Sequence, residues 1–323
     1  MEPLPMHPWG SPHLSKPLSD LAAHPAARVF PPPGTGQTHK HRERVHCGMK
    51  VCAVAGHSDT GKTTLVERLV DALADRATVG TVKHIDCKPD ADTEGKDTDR
   101  HRQAGSVQTY GVGDEGWFAT GDSLSLSEAL DHLGRRCDYA IVEGYAEARL
   151  PTVVLGEKDV ENGEVLGRYA SGEDADIGEI VESLGQTDPY ETLSSLVAQV
   201  KRSADEDKAG AIATFTGRVR AKEDDDDTAT EFLEFEKYDG VAEQKMADLR
   251  EELAARDGVF EVLLHHKTGV VEAGEDIVFV VVLAGHRTEA FRTVEDGINR
   301  LKEEVPLFKK EVTVEEEFWA HEA

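Results

Sequence analysis

The stretch Val51-Cys-Ala-Val-Ala-Gly56-His-Ser-Asp-Thr-Gly-Lys-Thr63 decides the architecture of the first half of this 323-residue chain. Its first five residues are apolar, as a buried strand requires. After it, Val66, Leu69, Val70 and Leu73 recur at helical spacing. Gly56-x4-Gly61-Lys62-Thr63 between a strand and a helix predicts a phosphate-binding loop. Glycines let backbone N–H groups converge on phosphate oxygens, the helix N-terminus adds positive potential, and Lys62 supplies charge. Candidate nucleotide-binding residues are Gly56, Ser58, Thr60, Gly61, Lys62, Thr63 and Thr64, with Lys83 from the later pair Lys83-His84. The Thr63 hydroxyl is the candidate Mg2+ ligand. Glu143, at the end of an apolar run, is a second metal or water-orienting candidate, or else an ordinary strand-end charge. A glycine-rich turn holding no nucleotide is the plainer alternative. Asp59 bears on it, because a carboxylate in the loop weakens phosphate binding unless it points outward.

Downstream of the loop, strand-like runs follow at Thr78–Val82, Tyr139–Val142 and Thr152–Leu155. Alternating strand and helix from Lys50 to about Gly185 predict an α/β domain with a largely parallel sheet. Residues 156–185 are mixed, with a short apolar pattern at Ile177, Ile180, Val181 and Leu184, and Gly185-Gln-Thr-Asp-Pro189 reads as the break between domains. Residues 186–323 predict an α+β domain. Its expected helices cover Tyr190–Arg202, Val241–Ala255 and Thr288–Glu304; its strands cover Ala211–Phe215, Glu231–Tyr238, Phe260–His265 and Ile277–Leu283. The last strand is apolar throughout, as burial on both faces demands. The last helix should bury Phe291, Val294, Ile298, Leu301 and Val305, and Pro306 should end it.

Residues 1–48 hold nine of the 13 prolines and few acids, a composition that predicts disorder; alternatively Met49 is the true start and the extension is mis-called. Its histidines hint only weakly at metal. The chain as a whole is acidic, with 63 Asp+Glu against 36 Lys+Arg and a net charge of -27. That balance argues against general nucleic-acid binding, which needs a basic face. The charge fits either an ordinary acidic protein or a salt-adapted one; even spreading and runs such as Glu223-Asp-Asp-Asp-Asp227 favour salt adaptation, the surface of a protein from a high-salt cytoplasm such as a halophilic archaeon's. At about 1 M salt the screening length is only about 3 Å, so self-repulsion is suppressed. No apolar stretch reaches membrane-spanning length, and the four scattered cysteines fit reduced thiols in the cytoplasm.

Against this anionic background one cationic cluster stands out. Lys302, Lys309 and Lys310 surround Pro306, lysine being sparse after Lys267. Phe215-Thr-Gly-Arg-Val-Arg220 ends a strand, and His286-Arg287 follows the buried one. If these ends converge, they suit an anionic substrate with a phosphate and a polar ring. A lysine crowded by cations can act as acid, base or nucleophile. The plainer reading has the lysines merely solvating a helix end, where cations favour the dipole.

Two resemblances extend this. "VGTVKH" at Val79–His84, "GKDTDRHRQAG" at Gly95–Gly105 and "VEGY" at Val142–Tyr145, with the loop, resemble the molybdopterin-guanine dinucleotide biosynthesis accessory protein, a GTP-binding family, over roughly residues 49–184. That resemblance implies GTP and Mg2+ as ligands and a molybdopterin guanylyltransferase as a partner. Cys87 stands roughly where the family often has a further histidine. Residues 188–319 resemble the large, catalytic subunit of molybdopterin synthase, through "GAIATFTGRVR" (Gly210–Arg220), "LEFEKYDGVAEQKM" (Leu233–Met246), "HKTGVVEAGEDIVFVVV" (His266–Val282), "AGHRTEAF" (Ala284–Phe291) and "LKEEVPLFKKE" (Leu301–Glu311). Here Lys302 and Lys309 take the family's catalytic positions, and Arg220, His286, Arg287 and Lys310 those of substrate binding. Phe308 stands where tryptophan is common, and Asp224–Asp227 lies in a variable loop expected to face solvent.

The implied chemistry inserts two sulfurs into cyclic pyranopterin monophosphate as a dithiolene, giving molybdopterin, with no cofactor in the synthase domain. Sulfur arrives as a thiocarboxylate on the C-terminal tail of a small ubiquitin-like subunit. This chain ends Trp319-Ala-His-Glu-Ala323 and is not expected to be that donor. A homodimer is also implied. The rival readings are a GTP-binding adaptor that carries molybdopterin without making it, and a generic phosphate-loop kinase, for which residues 49–184 offer no acceptor site.

Overall fold

Residues Val51–Ala55 of strand β1 (Lys50–Gly56) are all buried, so this strand is covered on both faces. Side chains alternate across a strand. Cys52 and Val54 therefore pack with Leu65, Leu69 and Leu73 of α1 (Lys62–Ala74), while Val51 and Ala53 enter a second core with Met49, Leu130 and Leu150. The computed structural model that shows this describes residues 48–320 apart from 88–92, 161, 223, 225–226, 238–239 and 315–316. The disorder expected for residues 1–48 thus falls, Gly48 aside, outside the described residues.

The first half continues through β2 (Val79–Lys83), α2 (Asp97–Gln103), β3 (Gln108–Gly113), β4 (Gly116–Gly121), α3 (Leu126–Gly134), β5 (Tyr139–Glu143), β6 (Thr152–Leu155), β7 (Val165–Tyr169) and α4 (Ile177–Gln186). Strands β2-β5-β1-β6-β7 form one parallel sheet in that order, as the alternating pattern predicts. Helices α1 and α4 cover one face, with Ile180 and Leu184 of α4 fully buried; Leu130 of α3 packs on the other. The β3–β4 hairpin and β7 escape a reading by apolar runs. The hairpin's larger side chains Tyr110, Val112 and Trp117 are exposed, and β7 buries only Leu166.

The second half runs α5 (Leu193–Val200), β8 (Ala211–Arg218), β9 (Thr230–Lys237), α6 (Val241–Ala254), β10 (Val259–His266), β11 (Gly269–Glu272), β12 (Asp276–Ala284), α7 (Arg287–Glu304), β13 (Leu307–Thr313) and β14 (Glu317–Ala320). Two antiparallel sheets result, β10-β12-β8 and β11-β9-β13-β14. As expected, β12 is buried on both faces. Val278, Val280 and Val282 meet α6 and α7, whereas Phe279, Val281 and Leu283 meet Leu196 and Val200 of α5.

One expectation for α7 fails. Phe291 is 65% exposed; the buried stripe is Ala290, Thr293, Val294, Gly297, Ile298 and Leu301. Counting large apolar residues missed the small ones at the centre of the stripe. A Cβ on Gly297 would lie 3.1 Å from Val280 Cγ1, so glycine sets how closely helix and sheet approach. Val305 turns extended ahead of Pro306 and ends the helix. Beyond it Lys309 and Lys310 belong to a strand, opposite Phe235 and Glu234 of β9, rather than to a helix end.

The expected break at Gly185–Pro189 is firmly tied. Tyr190 donates its N–H to the Met49 carbonyl at 2.7 Å, and the Lys50 ammonium donates to the Thr187 carbonyl. The Thr192 hydroxyl, which caps α5, donates to Asp131 of α3 at 2.6 Å, and the Ser194 hydroxyl donates to the same carboxylate. Burial alone would raise the Asp131 carboxyl, but hydrogen bonds from Ser194, Thr192 and Arg135 hold it below its ordinary value.

Glu191 is also buried here, accepting from the Ser195 hydroxyl and from Gln199 Nε2 at 2.9 Å. Burial raises its carboxyl despite those two hydrogen bonds and the nearby Arg202. A raised carboxyl stabilises the fold below the ordinary carboxylate range and loses that contribution as pH climbs through its folded value. Glu191→Gln keeps a partner for both Ser195 and Gln199 without the charge. It should stabilise the protein by about 1 kcal/mol at pH 7, with the gain vanishing near pH 4. Denaturant midpoints in molar salt at the two pH values measure this; a variant weaker at pH 7 would show that the charge itself holds the junction.

Candidate functional site

The Gly56–Thr63 loop joins the C-terminal end of β1 to the N-terminus of α1. Gly61 has φ 82°, a left-handed backbone that disfavours a side chain, and a Cβ there would meet the Gly172 backbone at 3.0 Å. Asp59 also has positive φ and is exposed, the outward disposition that phosphate binding requires of it. Lys62 Nζ donates to the Gly56 and His57 carbonyls at 3.0 and 2.7 Å, curling over the loop. Ser58 is exposed and Thr64 half-buried, while the Thr60 hydroxyl braces the turn by donating to the His57 carbonyl at 2.9 Å.

Strand pairing brings the remaining predicted residues of this loop site together. Glu143 ends β5 between Val54 of β1 and Lys83 of β2, in register with both. Its Oε1 accepts from Thr63 Oγ1 at 3.0 Å and from Lys83 Nζ at 2.8 Å. Glu143 is buried, and Gly144 and Tyr145 beyond it turn with positive φ, the Tyr145 ring 4.9 Å from that of His84. A hydroxyl and a carboxylate are hard oxygen donors of the kind Mg2+ takes, and the loop's glycine turn suits a phosphate chain, so the residues present fit a nucleotide with its metal. When bound, that metal supplies charge neutralisation between phosphates.

The second predicted cluster surrounds a cavity of about 860 Å3 in the other half of the chain. Lys302 reaches it from the end of α7, Lys309 from β13 and Arg220 from the segment after β8. Alternation along β13 sends Lys309 and Glu311 to the cavity and leaves Lys310 out of its lining. Five Lys or Arg side chains line it against four Asp or Glu, in a chain where acids outnumber bases 63 to 36. The cationic character is therefore local to this site.

Four features went unforeseen. Arg218 lines the cavity while pairing with Asp276 at 3.0 Å. The buried His266 lines it too, edge-on to Phe235 with ring centres 4.8 Å apart. Glu311 accepts from the Thr230 hydroxyl at 2.5 Å. Asp227, expected to face solvent only, is exposed and yet stands on the rim. The alternation of Lys309 with Glu311 was available as a signal, but only once β13 is known to be a strand.

His286 and Arg287 do not join this cluster. His286 precedes the first turn of α7 and Lys302 sits in its last, 16 residues and about 24 Å apart along the axis. The expected convergence of strand and helix ends holds for Lys302, Lys309 and Arg220 and fails, within one chain, for the His-Arg pair. Both residues are exposed at the far end of the helix.

Among the described residues, no helix is long and apolar enough to cross a membrane. The family described as "MoaE protein" matches residues 187–304, and "Molybdopterin guanine dinucleotide synthesis protein B" matches residues 51–171. A protein of Haloferax volcanii named as a probable molybdopterin synthase is 51% identical over 270 residues, which are 83% of this chain and 99% of that one. The molybdopterin synthase catalytic subunit of Pyrococcus abyssi is 38% identical over 34% of this chain and 73% of its own. A solved structure of molybdopterin cofactor biosynthesis protein E from Burkholderia multivorans aligns at 31% identity and TM-score 0.34, covering 41% of this chain and 84% of that one. Family models and relatives coincide: the chain belongs to the molybdopterin synthase family of molybdenum cofactor biosynthesis, as a fusion of a synthesis-protein-B-type domain with a catalytic-subunit-type domain.

Proposed function

We propose that the C-terminal cavity converts cyclic pyranopterin monophosphate into molybdopterin, taking sulfur from the thiocarboxylated tail of a separate small ubiquitin-like subunit. The observation that carries this is the meeting of Lys302, Lys309 and Arg220 around one cavity in an otherwise anionic chain. Arg220 and Arg218 suit the substrate phosphate, since guanidinium groups match its oxygens in pairs. The two lysines are suited to move protons as sulfur enters and the acyl tail leaves. Glu311, beside Lys309 on the same face, fits a positioning role. The N-terminal half binds GTP with Mg2+ through Lys62, Thr63 and Glu143, in support of a guanylyltransferase that later builds the dinucleotide cofactor.

The working unit in this reading is a homodimer. With His286 and Arg287 at the other end of α7 from Lys302, each cavity takes its His-Arg pair from a second copy.

The decisive assay combines the purified chain, thiocarboxylated small subunit and cyclic pyranopterin monophosphate in molar salt, with molybdopterin read by fluorescence after oxidation. Lys302→Ala and Lys309→Ala should each lower turnover on the order of 10²- to 10⁴-fold while leaving the fold intact. Near-normal turnover in both would remove the assignment.

Sharing of sites between copies gives a second outcome. Lys302→Ala and Arg287→Ala, each inactive alone, should recover about a quarter of normal activity when unfolded and refolded together. Statistical mixing makes half the dimers mixed, and each mixed dimer holds one complete site. No recovery would show that the His-Arg pair does not act on a second copy's cavity, and normal turnover of Arg287→Ala alone would place the pair outside the reaction. For the other half, Lys62→Ala should abolish binding of a fluorescent GTP analogue without altering sulfur transfer.

A further inference from the structure

Lys83 is not placed like a second loop lysine. Its ammonium lies 2.8 Å from Glu143 Oε1 and 3.4 Å from Thr63 Oγ1, between the two side chains best suited to a divalent cation. The seat is rigid on one side and loose on the other. Glu143 is buried at the end of a central strand, its side chain 11% exposed, whereas Lys83 comes from the edge strand with its side chain 54% exposed. The fixed partner is therefore the carboxylate, and the cation is the part able to leave.

We propose that Lys83 is a built-in counter-ion, its ammonium holding the Thr63–Glu143 seat until a divalent cation displaces it. This inference rests on reading Thr63 and Glu143 as metal ligands. An unpaired carboxylate so buried is costly, and a lysine in register across one strand pair offsets that cost without a fixed metal. A divalent cation and an ammonium cannot share one carboxylate oxygen at contact distance, so entry of one expels the other. Lys83 thereby raises the metal concentration the site needs. A phosphate chain beside the loop then gives the expelled ammonium a new anion, which ties metal entry to the arrival of nucleotide.

Binding of Mn2+ alone tests this, followed by electron paramagnetic resonance on the full chain in molar KCl. Among the described residues no group of three or more His, Cys, Asp or Glu side chains is assembled to hold a metal, so uptake that is lost on Glu143→Gln reports on this seat. Lys83→Met should bind Mn2+ on the order of tenfold more tightly than the unmodified protein. Lys83→Gln should follow it, and adding Glu143→Gln should erase the gain. A purely structural ion pair would instead lower thermal stability and leave Mn2+ affinity unchanged, and that result overturns the proposal. So does a gain that survives Glu143→Gln. GTP-analogue binding measured separately keeps the two readings apart, because its failure would count against the nucleotide while the Mn2+ comparison still stands.

Discussion

Strand β12 is apolar on both faces, and the arrangement of the chain follows from what covers them. One face takes α6 and α7, both within the second half. The other takes α5, through Leu196 and Val200 against Phe279, Val281 and Leu283. Helix α5 is itself capped by Thr192, whose hydroxyl is fixed to Asp131 of α3. The element that closes the second core is thus anchored to the first half. Burying several large side chains stabilises by about 1.5–3 kcal/mol each, far more than the surface contacts at the junction supply. Helix α5 packs on the second half and is tied to the first by the Thr192 and Ser194 hydroxyls on Asp131.

The same sheet geometry creates the C-terminal cavity. Helix α7 lies along β12 and stops at Pro306, after which the chain reverses as β13 in the neighbouring sheet. Lys302 in the last helical turn and Lys309 in the new strand are thereby brought to one cavity from two elements. Their setting also explains how a cationic site operates in a protein of net charge -27. In molar salt the screening length is about 3 Å, so the acidic exterior exerts little pull at a distance while contact pairs such as Arg218–Asp276 persist. Local composition, not overall charge, sets the character of the cavity.

Much of this was legible in residues. Strands buried on both faces, β1, β5, β6 and β12, announce themselves as unbroken apolar runs, and the phosphate loop is fixed by glycine and lysine spacing. The lost information is of two kinds. Exposed or small-residue elements carry no apolar signal, which is why the β3–β4 hairpin and the Thr293/Gly297 stripe of α7 were invisible and Phe291 was misplaced. Convergence is the other kind. Nothing in spacing separates Lys302, whose end of α7 reaches the cavity, from His286, whose end points elsewhere; only the helix length of 18 residues does so.

That geometry bears on traffic between the two halves. The second half attaches where β1 begins, through Tyr190 on Met49 and Lys50 on Thr187. The phosphate loop leaves β1 at Gly56, after a seven-residue strand that spans about 20 Å. The cleft between the halves, about 1100 Å3, is lined by Val51, Leu150 and His266, at the end of the sheet opposite the loop. His266 also lines the C-terminal cavity and so forms a wall common to cavity and cleft. The cleft neighbours the cavity but not the nucleotide loop. Under the proposed function, a product formed in the C-terminal cavity is therefore separated from Lys62 of the same chain by the length of β1. One route from the loop site toward the second half follows the chain from Glu143 through Tyr145 to Arg149, which faces Glu272 of β11 at 4.0 Å.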